Sequence, residues 1–480
     1  MKRALWQFNL KHLFLLLANF FVVPSSMAED ELSIKLSYEQ ARQILQQKSD
    51  AIEAANHQVS SELDYRKSLD RLKLPTLSIS AGVMAYDSER ELDIEPLQQA
   101  IGQVIPGANQ LIPSSLGIDL NAVNPTAALT SSWLLYTGGQ TDAAQRFADA
   151  GIALAEAERK GTYEQQEKLL ATLYFGQLLA GRVLAIREEV LHGVEQHLHL
   201  AKRFEEKGIL SKVERLHAQV AYDEANRNYI QARADFGIAD MALRRLLRSE
   251  ASVKPQTGLF VLSKSLEPVD RFINAALEGH SQLAQIRAKH KQAEQGKVIE
   301  EARWKPSVVA YGTYNLAQED ADFSNPLPLL EPDWVVGVNV SYPLFDRYNR
   351  NRLISAAEQK IQRVDALERE LKTGLVTLIE KSYRSTERSR EQFVLLESNI
   401  ELAQETLQLR ERLFEEGLGT SLDVVDARLA AARAETERAV AAYAFVISLV
   451  DLLDASGQLE RFNEYVKLAD IRLAVRESKQ

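Results

Sequence analysis

Two aspartates, Asp423 and Asp426, stand three residues apart just after a glycine-rich turn. Residues at that spacing share a helix face, so two chemistries are open to the pair. An acid in a first helical turn meets the positive end of the helix dipole and caps the helix. Repeated around a pore, the same acids form rings of like charge that attract cations and repel anions. One residue can serve both purposes, and the sequence leaves both readings open. His192, His197 and His199 suggest a metal cluster, but no two of them are four residues apart, and only 192 and 199 share a face. They read as solvated helix histidines, and no metal or cofactor is expected. There is no H-E-x-x-H, no nucleophile elbow and no phosphate loop. An exported hydrolase, or any other enzyme, is therefore disfavoured.

The acids belong to a longer signal. Arg412 to Arg428 reads RLFEEGLGTSLDVVDAR, with Gly417 and Gly419 followed by Thr420, Ser421 and the acids. Glycine past a helix end, then Ser/Thr and an acid in the next first turn, stops one helix and starts another. The same turn occurs from Arg203 to Gln219, RFEEKGILSKVERLHAQ. Arg203 aligns with Arg412 (412 − 203 = 209), Gly208 with Gly417, Glu214 with Asp423, and Ala218 with Ala427 (427 − 218 = 209). A gapless repeat of this kind marks a duplicated chain.

Long helices must hold these turns. No proline occurs between Pro125 and Pro255, or after Pro343. Gln140 to about Glu206, and Asp346 to Glu416, read as single helices of about 100 Å, with Lys212–Leu247 and Ser421–Leu453 returning beside them. Ahead of each long helix lie two stretches of strict alternation. Leu77, Ile79, Ala81, Val83 and Ala85 face one way, and Thr76, Ser78, Ser80 and Gly82 the other. Leu129, Ser131, Trp133 and Leu135 share a face, as do Val308, Ala310, Gly312 and Tyr314, and Val336, Val338, Val340, Tyr342 and Leu344. These are strands with one oily face, at about 75–86, 126–136, 306–316 and 334–345. Trp133, Tyr136, Trp334 and Tyr342 at their ends fit an interfacial girdle. Asp87–Asn124, with three prolines, and Ala317–Pro332 read as loops. Leu36–Leu72 and Arg271–Ala302 each read as one helix. The chain then divides into a first repeat at 29–265 with its hairpin at about 140–250, a second at 266–460 with its hairpin at about 346–455, and a tail at 461–480.

Composition narrows the class. The net charge of −10 argues against nucleic acid as a partner. The absence of cysteine rules out disulfides, thiolate metal sites and a lipidated N-terminal cysteine. Lys2 and Arg3, the apolar run Phe14–Val23 and small residues ending at Ala28 read as a signal peptide, 1–28. No later stretch reads as a transmembrane helix. Helices this long must pack side by side, and four oily strands cannot close a barrel alone. Several copies must then share one barrel, whose helices continue the tube into water.

The paired strands, long helices and twin turns resemble the TolC-type outer-membrane factors over nearly the whole mature chain. The most specific motif is Gly417-x-x-Thr420-x-x-Asp423-Val424-Val425-Asp426-Ala427. The resemblance implies a mainly α protein with membrane β: a homotrimer with a twelve-stranded barrel in outer-membrane lipid, and a long periplasmic α-helical barrel whose tips form an iris. It implies the exit duct of a tripartite efflux pump or type I secretion system, working with a periplasmic adaptor and an inner-membrane pump. The alternative from the sequence is a soluble periplasmic coiled-coil adaptor or scaffold. The family's tip carries an aromatic and a basic residue that lock the iris. The matching positions here are Phe414, which has no hydroxyl, and Gly419, which has no side chain. Arg203, Arg215 and Arg412 are then the nearby cations, with Arg203 and Arg412 favoured as helix caps. Gly208, Glu214, Gly417, Asp423 and Asp426 complete the expected tip.

Overall fold

The computed structural model describes residues 33–317, 332–346 and 349–473. The signal segment and most of the second loop lie outside them. The first half runs β1 (Ser33–Leu36), α1 (Tyr38–Lys48), α2 (Asp50–Asp70), β2 (Thr76–Asp93), α3 (Glu95–Val104), β3 (Ser115–Tyr136), α4 (Gln140–Glu206) and α5 (Lys212–Leu247). The second half runs β4 (Ser252–Pro255), β5 (Phe260–Val261), α6 (Val269–Gly279), α7 (Ser281–Ala302), β6 (Ser307–Ala317), β7 (Trp334–Ser341), α8 (Asn349–Glu415), α9 (Ser421–Ala455), α10 (Phe462–Leu468) and β8 (Ile471–Arg472). Both long helices, α4 and α8, have 67 residues. Their starts and ends keep the repeat (349 − 140 = 209, 415 − 206 = 209).

Strands β2, β3, β6 and β7 form one antiparallel sheet in that order. The register sets Thr76 opposite Ser132 and Ser78 opposite Thr130, and the last two hydroxyls meet at 2.7 Å. On the other face Leu77 and Ile79 are each 71% exposed and Val338 62%. That oily face has no protein cover among the described residues. Trp133 anchors the base of the sheet, its indole N–H donating to the Lys73 carbonyl at 2.8 Å.

Several elements differ from the sequence reading. The first loop is mostly strand, since β2 and β3 stay paired as far as Asp93 and Ser115. Beyond Ala127 of β3, β2 is the strand paired with it among the described residues. Polar residues on both faces hide that stretch from an alternation test. Pro125 sits there, opposite Val83, where β3 has one strand neighbour among the described residues. Pro96 does not break structure either; it lies in the first turn of α3, where its missing N–H is harmless. Strand β7 stops at Ser341 instead of about 345, two residues before Pro343.

The two short-helix regions are each broken once. Ser49 (φ −78°, ψ 119°) separates α1 from α2, and His280 (φ −66°, ψ 132°) separates α6 from α7. Ser49 stands at the N-cap of α2, ahead of Asp50 and Glu53, and Gly279 ends α6. His280 lies hard against Gly457, where an added Cβ would sit 3.1 Å from the His280 Cα. These breaks surround the main core. Tyr38, Tyr174, Phe175, Phe260 and Phe462 are wholly buried together, with ring centroids 5.0–6.0 Å apart. The Tyr174 hydroxyl donates to the Leu36 carbonyl at 2.7 Å. Part of the expected tail belongs here, because Phe462 and Tyr465 are core residues and β8 pairs with β5. The expectation that no later stretch could cross a membrane is also corrected. By length and composition, α4 is a helix that could. Its apolar middle, around Leu170–Phe175, is instead packed into this core.

Candidate functional site: the paired helix tips

Each long helix ends in the same way. The Ile209 N–H donates to the Phe204 carbonyl at 2.9 Å, and the Leu418 N–H to the Leu413 carbonyl at 2.8 Å. These six-to-one bonds close the last turn through a left-handed glycine: Gly208 has φ +71° and Gly417 φ +77°. Arg203 and Arg412 lie exposed in the last turns, where a cation favourably meets the dipole. Each return helix then starts from a hydroxyl cap. Ser211 Oγ accepts the Glu214 N–H at 3.4 Å, and Thr420 Oγ the Asp423 N–H at 3.2 Å.

The two acids of the repeat diverge at this point. The Asp423 carboxylate closes a capping box, accepting the Thr420 N–H at 3.2 Å and its hydroxyl at 2.7 Å. Arg410 of α8 approaches it at 3.5 Å. The Thr420 bonds, with Arg410 a lesser cause, hold its carboxyl below the usual carboxylate range. Glu214 reaches across instead. Its Oε2 accepts the Ser421 backbone N–H at 2.8 Å, so a residue of the first hairpin caps the first turn of α9. Asp426 is exposed, and no partner holds it among the described residues.

Under these caps the hairpins share a small core of Leu198, Ala201, Ala218, Phe414 and Val424. Phe414 is 2% exposed and stacks on Phe204, with centroids 5.9 Å apart and planes at 22°. It joins the two tips from inside. Gly419 is closely packed, since an added Cβ would lie 3.1 Å from the Phe414 backbone nitrogen, which would have to give by a few tenths of an ångström. Arg215 pairs with Glu205 at 3.0 Å within its own hairpin.

His197 departs from the reading as a solvated residue. It is 7% exposed, its ring centroid lies 4.5 Å from that of Phe414, and its Nε2 meets Ser421 Oγ at 2.8 Å. Burial, helped by the nearby Arg428 cation, pushes its pKa down to about 4. Arg428 bonds Glu411 and crosses Gly193, where an added Cβ would collide with the guanidinium. His192 and His199 are exposed as expected. A signal for His197 was present, since Val190, Val194, His197 and Ala201 fall on one helical stripe. Among the described residues, no group of three or more metal-ligating side chains comes together.

Residues 41–248 and 272–458 match the family described as outer membrane efflux protein. No curated protein sequence matches this chain. Solved structures that share its fold include three outer-membrane proteins. The Campylobacter jejuni CmeC outer membrane channel is 13% identical, with a TM-score of 0.71 and 90% of each chain covered. The outer membrane protein VceC of Vibrio cholerae is 15% identical, with a TM-score of 0.66, covering 88% of this chain and 96% of that one. The Neisseria gonorrhoeae MtrE outer membrane channel, in an open state, is 16% identical, with a TM-score of 0.66, covering 88% of this chain and 89% of that one. The chain belongs to the outer membrane efflux protein family, as an outer-membrane efflux channel with a periplasmic helical part.

Proposed function

We propose that three copies close a twelve-stranded barrel, and that the helices below continue it as a passive duct gated at the paired tips. One observation carries this reading. Among the described residues the four-stranded sheet has a lipid-type face and two unpaired edges, β2 and β7, which no membrane tolerates until neighbouring copies satisfy them. The helices support the same joint. Below the core, α4 packs on α5 and α9, and α9 on α8, so α5 and α8 form the two edges. Both carry exposed apolar residues at heptad spacing: Val213, Leu216 and Val220 on α5, and Leu395, Leu402 and Leu409 on α8. Unlike edges meeting head to tail make a closed ring. The family membership supports docking to a periplasmic adaptor and an inner-membrane pump, of an efflux or type I secretion system.

The soluble adaptor reading is not favoured, because it gives the oily sheet no cover. Fractionation tests both. The chain should stay with membranes through salt washes and leave them with detergent. Since it has no cysteine, a single cysteine on β2 paired with one on β7 should crosslink only between copies, to a limit of three. Extraction by salt alone, or a crosslinked ladder beyond three, would overturn the proposal.

A further inference from the structure

The outer end of the sheet changes polarity. Up to Ala85 the odd-numbered residues of β2 make its oily face, with Leu77, Ile79 and Val83 exposed on it. From Asp87 the same face turns acidic, with Asp87, Glu89 and Glu91 all exposed. Apolar residues now stand on the other face, where Leu92 lies opposite Leu116 and both are exposed. Lower down, that face carries Thr76, Ser78 and Ser80, and it is the inside of the proposed barrel. Helix α3 crowns this extension, and its polar side is tied to its own surroundings. The Asp93 carboxylate accepts the Glu95 N–H at 3.0 Å, and the Gln98 amide donates to the Ile112 carbonyl at 2.7 Å. Leu97, Ile101 and Val104 form a stripe at helical spacing on another side. No residue of α3 is buried; Val104 is 80% exposed, and Leu111 beyond it 86%.

An apolar cluster left open to water marks a contact surface. Lipid does not fit it well, because residues 87–93 hold α3 about 20 Å along the strands beyond the oily band, and their acidic face lies between. We infer that the three α3 helices of a trimer meet over its axis and close the outer mouth as an apolar lid, a second gate remote from the tips. This rests on the trimeric barrel proposed above, whose joint sets the three crowns around one axis. The dimensions agree. Twelve strands about 4.8 Å apart, tilted about 40°, make a barrel about 24 Å across, so wall and axis are about 12 Å apart. With its 10 residues, α3 is about 15 Å long and reaches that axis. Three such helices, each about 10 Å across, cover about the area of the opening.

The chain has no cysteine, so single cysteines test the lid in whole cells, with trimer formation read separately by gel mobility. Leu97→Cys or Val104→Cys should be joined between copies by a bismaleimide too short to span the open rim. Ser80→Cys lies on the inner face below the lid. A small maleimide added outside should label it readily, and a bulky polyethylene-glycol maleimide at least tenfold more slowly. Adding Leu97→Glu with Val104→Glu, or replacing residues 94–114 by an Asn-Gly hairpin turn, should remove that protection and leave the small reagent unaffected. The reagents enter from outside, so the state of the tips does not matter. In an assembled trimer, equal labelling by the bulky reagent with and without the crown would overturn the lid, as would failure of both cysteines to join. Quenching of a bimane on Leu97→Cys by brominated lipid would assign the stripe to the membrane and overturn it too. A chain that makes no trimer with its crown intact would overturn the barrel reading, and the lid with it.

Discussion

Glu214 and Asp423 occupy equivalent places in the duplicated turn, yet hold different partners. Asp423 is tied to its own cap and faced by Arg410, whereas Asp426 is exposed. The pair read alike in sequence because spacing shows a shared face, not which carboxylate is already engaged. A cation preference at the tip should therefore follow Asp426. In planar bilayers under a salt gradient, Asp426→Asn should weaken the preference, while Asp423→Asn should leave it nearly unchanged and loosen the first turn of α9. The reverse ranking would place Asp423 on the lumen. His197 makes a separate prediction from pH. Its folded pKa of about 4 lies below the ordinary histidine value of about 6.5. The neutral ring's contribution is thus full above about pH 6.5 and is lost as pH falls toward 4. The groups facing it are Arg428 with Glu411, Ser421, and Glu214 through Ser421. Amide exchange at the tips should quicken over that window by up to a few kcal/mol of lost protection. His197→Gln, which keeps a polar partner for Ser421 and does not titrate, should abolish the pH step.

At the scale of elements, the best-read parts were those set by local rules. Both 67-residue helices begin and end within a few residues of their expected bounds, because glycine stops and hydroxyl starts act within one turn. Strand faces were legible for the same reason: alternation is local and lipid demands it. The breaks at Ser49 and His280 were missed although local signals stood beside them: Ser49 precedes Asp50 and Glu53 at the start of α2, and Gly279 ends α6. Not legible were β1, β4, β5 and β8, which are two to four residues long and exist through distant partners. The strand faces give the element-scale prediction. Val338 points out of the sheet on the oily face, and Asn339 shares a face with Ser341. A basic residue at the lipid midplane costs about 2–4 kcal/mol, so Val338→Arg should reduce membrane assembly while Asn339→Arg does not. Heat-modifiable gel mobility of the assembled channel would report it, and equal effects would mean the faces are exchanged.

For the whole molecule, the edge stripes matter most. Leu402 is 63% exposed in the single chain and lies midway along its α8 stripe. Leu402→Glu should leave a folded protomer and prevent a stable trimer, as judged by light scattering in detergent. An unaffected trimer would move the joint between copies away from α8. A last consequence follows from how α4 passes through the central core. It has no break, and aromatic packing grips it near its midpoint. Its partners change there, from α2 and α7 on the sheet side to α5 and α9 on the tip side. The helix is thus a beam pinned at a fulcrum, with two arms of about 45 Å. A 5 Å outward swing of its tip needs a tilt of only about 6° over such an arm. A rigid beam would carry its sheet end about as far the other way, so a mouth that widens while the membrane end stands still requires α4 to bend by that angle where the core grips it.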